Sequence, residues 1–244
     1  FRGRAETDRG RLSNYLRLEE LLKLQSGPEG HPPHPSNHEM HFIITHQAFE
    51  LWFKQINIEL EESLNLMNVD EVDEKQIPVI VSHLERCSGI FRLLAAQWKV
   101  METLAPQDFL AFRDRLGTSS GFESWQLRTL EMLLGLESEQ RIGGMDPMVH
   151  NRKLHSEGKL SDDVMEEMVR IDNLPSLNDV LQKWFHYFRL RHFPKYMCGV
   201  IFEWVKEQPW YVETKLFDIY RLTSSHWATT YKTMYRESIQ ILMT

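Results

Sequence analysis

Met40-His-Phe-Ile-Ile-Thr-His46-Gln-Ala-Phe-Glu-Leu-Trp-Phe-Lys54 decides the fold. Phe42, Ile43, Ile44, Ala48, Phe49, Leu51, Trp52 and Phe53 leave no polar stripe in its first half, so a helix over Met40–Leu66 is expected to be covered on both faces, at the centre of a bundle. Working outward, Leu12, Leu16, Leu18, Leu21, Leu22 and Leu24 recur at helical intervals until Gly27-Pro28 stops them. A Pro- and His-rich loop runs from Gly27 to Asn37. Beyond the central stretch, Ile80, Leu84, Cys87, Ile90, Leu93 and Leu94 mark a long helix over Ile77–Leu104, ended by Pro106. A short helix over Gln107–Leu116 and the turn Gly117–Gly121 follow, then a helix over Phe122–Leu136 and a loop containing Gly143, Gly144 and Pro147. Further helices are expected over Asp162–Ile171, Ser176–Val205 with a kink at Pro194, and Val212–Ile241. No segment combines alternation with turns as a sheet requires. The fold class is therefore all-α, a helical bundle, read as a single domain over residues 1–244.

Bulk properties narrow the function. With 42% apolar and 26% charged residues, the 244-residue chain has the composition of a soluble globular protein. The net charge of -7 comes from interspersed acids and bases, which leaves no basic stripe for a phosphate backbone and excludes nucleic acid as an expected partner. Cys87 and Cys198 are the two cysteines; they are too few for a disulfide framework, and a reducing cytoplasm is expected. No apolar run reaches the roughly 18 residues of a membrane span, and Phe1-Arg2-Gly3-Arg4 lacks the apolar core of a signal peptide.

Among the eleven histidines, His46 stands out as a polar ring on the most apolar helix, one turn before Glu50. It is either a core histidine bonded to a nearby carbonyl or a proton-handling group facing a ligand. His41 and His46 are five apart with no Glu after His41, so the metalloprotease pattern HExxH is absent. His31, His34 and His38 sit among prolines, which favours an extended surface segment over a metal site. His83 and Cys87 share a helical face and read as core. Arg113, in Asp108-Phe-Leu-Ala-Phe-Arg113, either clamps a carboxylate with two parallel hydrogen bonds or snorkels to water or an Asp. Ser119, Ser120 and Gly121 offer hydroxyls and amides at an expected helix start, suited to a ligand or to a cap.

Four blocks carry a resemblance: Tyr15-Leu-Arg-Leu; His38-Glu39 with Phe42-Ile-Ile-Thr-His46-Gln-Ala-Phe-Glu-Leu-Trp-Phe-Lys54; Asp108-Phe-x-x-Phe-Arg113; and Ser120-Gly-Phe-Glu-Ser-Trp-Gln-Leu-Arg128. In order and spacing they resemble the tryptophan 2,3-dioxygenase superfamily of haem-dependent aromatic oxygenases. The resemblance implies haem b buried between helices, with O2 or peroxide as oxidant and a small aromatic amino acid as substrate. It makes His46 the distal histidine, Phe42 a pocket wall, and Arg113 the carboxylate clamp, with Phe109, Ser120, Leu12 and Tyr15 lining the substrate site. It also implies a homo-oligomer.

The family's proximal pattern, Trp-Arg-x-x-His-x-x-x-Val followed by a Gly-Thr-Gly-Gly loop, is not intact here. His226, in His226-Trp-Ala-Thr229, is the expected iron ligand, and His192 is the alternative. The glycine loop has no counterpart before Thr244, and Leu12 stands where the dioxygenases carry Tyr. On those two departures, ring hydroxylation of L-tyrosine is the expected reaction. Tryptophan dioxygenation to N-formylkynurenine is the alternative, and a non-catalytic protein that binds haem or an amino acid is the second.

Overall fold

The computed structural model describes residues 12–25, 35–117, 123–136, 141, 144 and 146–192, and side chains as far as Trp184. Every regular element among them is helical, so the all-α expectation holds. Chain contacts group into two compact units: Phe1–Ala48 with Val100–Gly117, and Phe49–Lys99 with Thr118–Thr244.

In the first unit, the expected helix over residues 12–24 is instead two single turns, α1 (Leu12–Tyr15) and α2 (Leu18–Leu21), separated by Arg17 in the left-handed region at φ 50. The physical reason is that Leu12, Leu16, Leu22 and Leu24 are exposed. A short helix with no packed face gains too little to offset its nucleation cost. The central helix, α3 (Asn37–Met67), begins at Ser36, whose hydroxyl accepts the Glu39 amide at 3.1 Å. Helix α4 (Ile77–Met101) ends short of Pro106, and that proline opens α5 (Pro106–Arg113) at a position where its missing N–H costs nothing. A 3-10 turn over Asp114–Leu116 follows, closed by Gly117 at φ 57.

The second unit holds the larger core. Phe49, Phe53, Ile56, Leu60, Leu64 and Met67 recur at three and four residues along α3, and they pack with Ile80, Leu84, Cys87, Phe91 and Leu94 of α4. Helix α6 (Trp125–Leu134) adds Leu127, Leu130 and Leu133, and is capped by Ser124, whose hydroxyl accepts the Leu127 amide. Helices α8 (Asp162–Asp172) and α9 (Leu177–His192) supply Ile171, Leu177, Val180 and Leu181. Gln126 stitches α6 to α3, donating to the Glu50 carbonyl at 3.0 Å and its carboxylate at 2.8 Å.

Two expectations are corrected. Helix α7 (Pro147–Ser156) occupies a stretch read as loop; its signal was Asp146-Pro147, where the Asp146 carboxylate accepts the amides of Met148 and Val149 and Pro147 sits at the first helical position. Second, α3 is not covered on both faces in the described structure. Ile44, Leu51 and Ile58, at intervals of seven, are about half exposed, because the core draws on the residues between them. The expected helices beyond His192 lie outside the described residues. No helix among the described residues is long and apolar enough to cross a membrane.

Cys87 is fully buried in this core, and burial, reinforced by the Glu59 carboxylate, pushes its thiol up to about 12. In a Cys198→Ser background, Cys87 is expected to resist alkylation at pH 8 in the native protein and to react once urea unfolds it. The raised value also has a sign for stability. The neutral thiol favours the folded state below its ordinary value of 9.0, and that contribution is lost as pH rises from there toward about 12. Native-state labelling as fast as unfolded-state labelling would contradict both statements.

Candidate active site

Helix α3 carries Glu39, Phe42 and His46 at intervals of three and four, hence on one face. Helix α5 presents Phe109 and Phe112 by the same spacing. Their rings meet: Phe42 lies 5.8 Å from Phe109 and 5.5 Å from Phe112, and Phe109 meets Phe112 edge to face at 5.4 Å. Separations in this range favour aromatic attraction beyond simple burial. Phe112 is buried, whereas Phe42 and Phe109 remain partly accessible, so the cluster has an anchored base and an open wall.

His46 stands against this wall, its ring 4.0 Å from that of Phe42. Its Nδ1 is 2.8 Å from the Phe42 carbonyl oxygen. A carbonyl can only accept, so Nδ1 carries the hydrogen, and Nε2 of the neutral ring is the acceptor nitrogen. The carbonyl-bonded alternative for His46 is therefore met in the structure. One nitrogen satisfies a carbonyl and thereby defines what the other can do. His41 takes another direction, its Nε2 lying 3.1 Å from the Val100 carbonyl.

Arg113 ends α5, and one of its Nη groups donates to the Gly117 carbonyl at 2.9 Å across the 3-10 turn. That bond ties down one edge of the guanidinium at the rim of the aromatic cluster's own helix. Two further ties join α5 and its turn to α3: Arg115 donates to the buried Glu39 carboxylate at 2.6 Å, and His38 faces Asp108 at 3.6 Å. Sequence reasoning missed Arg115. Its partner is 76 residues away, so no local spacing could announce it.

The structure thus brings Phe42, His46, Phe109 and Arg113 onto two neighbouring helices of one unit. Leu12 and Tyr15 fall on α1 and are strongly exposed. Ser120 and His226 lie outside the described residues. His192 is the last residue of α9, and its side chain is likewise outside them. Among the described residues, no group of three or more His, Cys, Asp or Glu could hold a bare metal ion.

The residues present fit one face of a haem. Aromatic rings and one oriented imidazole suit an apolar macrocycle with a single polar visitor, and the nearby Glu39 and Asp108 carboxylates are paired with Arg115 and His38. Fold and site define the class: an all-helical protein with an aromatic wall, a tautomer-fixed histidine and a guanidinium at its rim.

The family model described as tryptophan 2,3-dioxygenase matches residues 2–195. Relatives include the tryptophan 2,3-dioxygenase of Bdellovibrio bacteriovorus, 40% identical over 171 residues that cover 70% of this chain and 46% of the relative. That of Anopheles gambiae is 37% identical over 170 residues, 70% of this chain and 42% of the relative. Tryptophan 2,3-dioxygenase 2 of Ralstonia nicotianae is 45% identical over 129 residues, 53% and 35% of the two chains. The chain belongs to the tryptophan 2,3-dioxygenase family. It spans less than half the length of these relatives.

These matches correct the expected tyrosine hydroxylation, since the relatives are named for tryptophan dioxygenation. The expectation leaned on Leu12 and on a C-terminal loop. Leu12 proves to be an exposed residue on a single helical turn, and the C-terminal segment lies outside the described residues.

Proposed function

We propose that this chain forms the distal, substrate-holding side of a haem site that inserts both atoms of O2 into the indole ring of L-tryptophan, giving N-formylkynurenine. The observation that carries it is the pairing of a tautomer-fixed imidazole with an aromatic wall and a guanidinium on adjacent helices. When bound, the haem supplies the iron through which O2 becomes reactive toward a closed-shell ring. Phe42 and Phe109 take the flat faces of the indole and exclude water from it. Arg113 holds the substrate carboxylate with the guanidinium donors not used by Gly117. The His46 Nε2, an acceptor, receives the indole N–H and holds that proton while the ring is attacked. His226 is proposed as the iron's protein ligand, with His192 as the alternative.

The test is turnover of L-tryptophan by the purified chain loaded with haem, with product identified by mass spectrometry. N-formylkynurenine is the expected product; a catechol from L-tyrosine, or no turnover of either amino acid, would overturn the proposal. His46→Ala gives a sharper check. Loss of one hydrogen bond to the substrate is expected to cost about 1 to 3 kcal/mol in kcat/KM, roughly fivefold to 150-fold. For 1-methyl-L-tryptophan, which has no indole N–H to donate, the same variant is expected to lose far less. Equal losses for the two substrates would remove the proton-accepting role.

A further inference from the structure

We propose that Glu39 and Arg115 are a positioning pair that sets where Arg113 holds a carboxylate, so that the pair governs selectivity for amino acids over amines lacking the carboxylate. This rests on Arg113 being the carboxylate clamp.

The case begins with a cost. The Glu39 carboxylate is 7% exposed, and a buried carboxylate is expensive unless its charge and lone pairs are met. Arg115 meets it at 2.6 Å, while the Glu39 amide is taken by Ser36. Replacing such a pair with apolar residues often leaves a protein as stable or more so, and its recurrent use is to specify geometry. What this pair specifies follows from where its ends lie. Arg115 is two residues after Arg113 and two before Gly117, whose carbonyl holds the Arg113 guanidinium. The turn is therefore held at two points, to α3 through Glu39 and to itself through the Arg113–Gly117 bond. The other tie between these elements, His38 with Asp108, is half exposed and longer at 3.6 Å, so it contributes little.

Glu39 also shares a face with Phe42 and His46. Seven residues of rigid helix separate the anchor at Glu39 from the imidazole, about 10 Å at the helical rise. Helix α3 thus acts as a ruler: one end fixes the turn that bears the carboxylate clamp, and the other bears the group that receives the ring N–H. An amino acid is measured between them. Loosening the anchor lets the guanidinium shift relative to the imidazole, and shifts of about 1 Å at such sites cost up to roughly a hundredfold.

The experiment compares L-tryptophan with tryptamine, which keeps the indole and ammonium but lacks the carboxylate. Binding is measured by calorimetry on the full chain, with and without haem. In Glu39→Gln and in Arg115→Gln, affinity for L-tryptophan is expected to fall about tenfold while that for tryptamine is unchanged. The charge-swapped double variant Glu39→Arg/Arg115→Glu is expected to recover part of the loss. A fall shared equally by both ligands, or no fall in either variant, overturns the positioning role. A melting curve on each variant separates loss of fold from loss of positioning, and because Arg115→Gln leaves the buried Glu39 carboxylate without its partner, the charge-swapped double variant, which keeps the pair, decides where a single variant does not fold. Arg113→Leu separates the two claims: if it too leaves the preference for L-tryptophan intact, or if the wild-type chain shows no such preference, the clamp itself is wrong and the pair has nothing to position. If Arg113→Leu abolishes the preference and neither pair variant does, only the positioning role fails.

Discussion

Replacing Arg113 with leucine is expected to weaken L-tryptophan binding by roughly thirtyfold to a few thousandfold, the largest functional effect of any single change in the site. The magnitude is that of removing one partner of a hydrogen-bonded charge pair which, in the proposed complex, the bound ligand shields from water, about 2 to 5 kcal/mol, at one factor of ten per 1.4 kcal/mol. The stem of Arg113 ends α5 and its guanidinium reaches only as far as Gly117, so leucine keeps most of the packing and removes the donors. Arg113→Lys is expected to recover little, because a single ammonium cannot reproduce two parallel bonds to a carboxylate. The measurement is a calorimetric titration with L-tryptophan, accompanied by a melting curve. A Kd within threefold of wild type would dismiss the clamp.

The second large effect concerns stability. Arg128 and Glu131 face each other one turn apart on α6, both fully buried, with one Nη of Arg128 shared by the two carboxylate oxygens at 2.8 and 3.0 Å. The Nε and the second Nη of Arg128 have no hydrogen-bond partner among the described residues. Glu131→Gln would leave a buried guanidinium without its counter-charge, and a loss of about 3 to 5 kcal/mol is expected. Against a total stability of about 5 to 15 kcal/mol, that is enough to unfold much of the protein at physiological temperature. The matched change Arg128→Met with Glu131→Leu is expected to cost far less, since no charge remains to be satisfied. Urea denaturation of the three forms reads the difference. If the single and double variants prove equally unstable, the pair matters through shape and not charge.

The aromatic part of the site was legible in the chain because its signals are local. Phe109 and Phe112 are three apart on one short helix, and Phe42 and His46 four apart on another, so each pair shares a face whatever the helices pack against. That two such pairs meet is a tertiary fact, and it rests on ring separations of 5.5 and 5.8 Å from Phe42. The likeness to tryptophan dioxygenases was equally open to reading, since it resides in residue identities and their order. The tyrosine expectation leaned on Leu12 and on the C-terminal glycine loop, and it is overturned by relatives named for tryptophan dioxygenation. Leu12 and Tyr15 lie on one exposed turn of helix, and a single turn is too short to be placed by periodicity.

Taken alone, the order of residues determined that the regular elements of the described chain are helices, that a long helix runs through Met40–Leu66, and which residues, His46 and Arg113 among them, were candidates for chemistry. Hydrophobic spacing and proline punctuation act within a few residues of each other, and such short-range effects survive in one dimension. Three things were decided only in three dimensions. The tautomer of His46 depends on its hydrogen bond with the Phe42 carbonyl, at 2.8 Å. The exposure of Ile44, Leu51 and Ile58 depends on which face of α3 the core claims. The link from Glu39 to Arg115 joins charges that the chain separates by 76 residues. Charges act through space and burial sets their strength, so a pair of this kind leaves no periodic trace in the sequence.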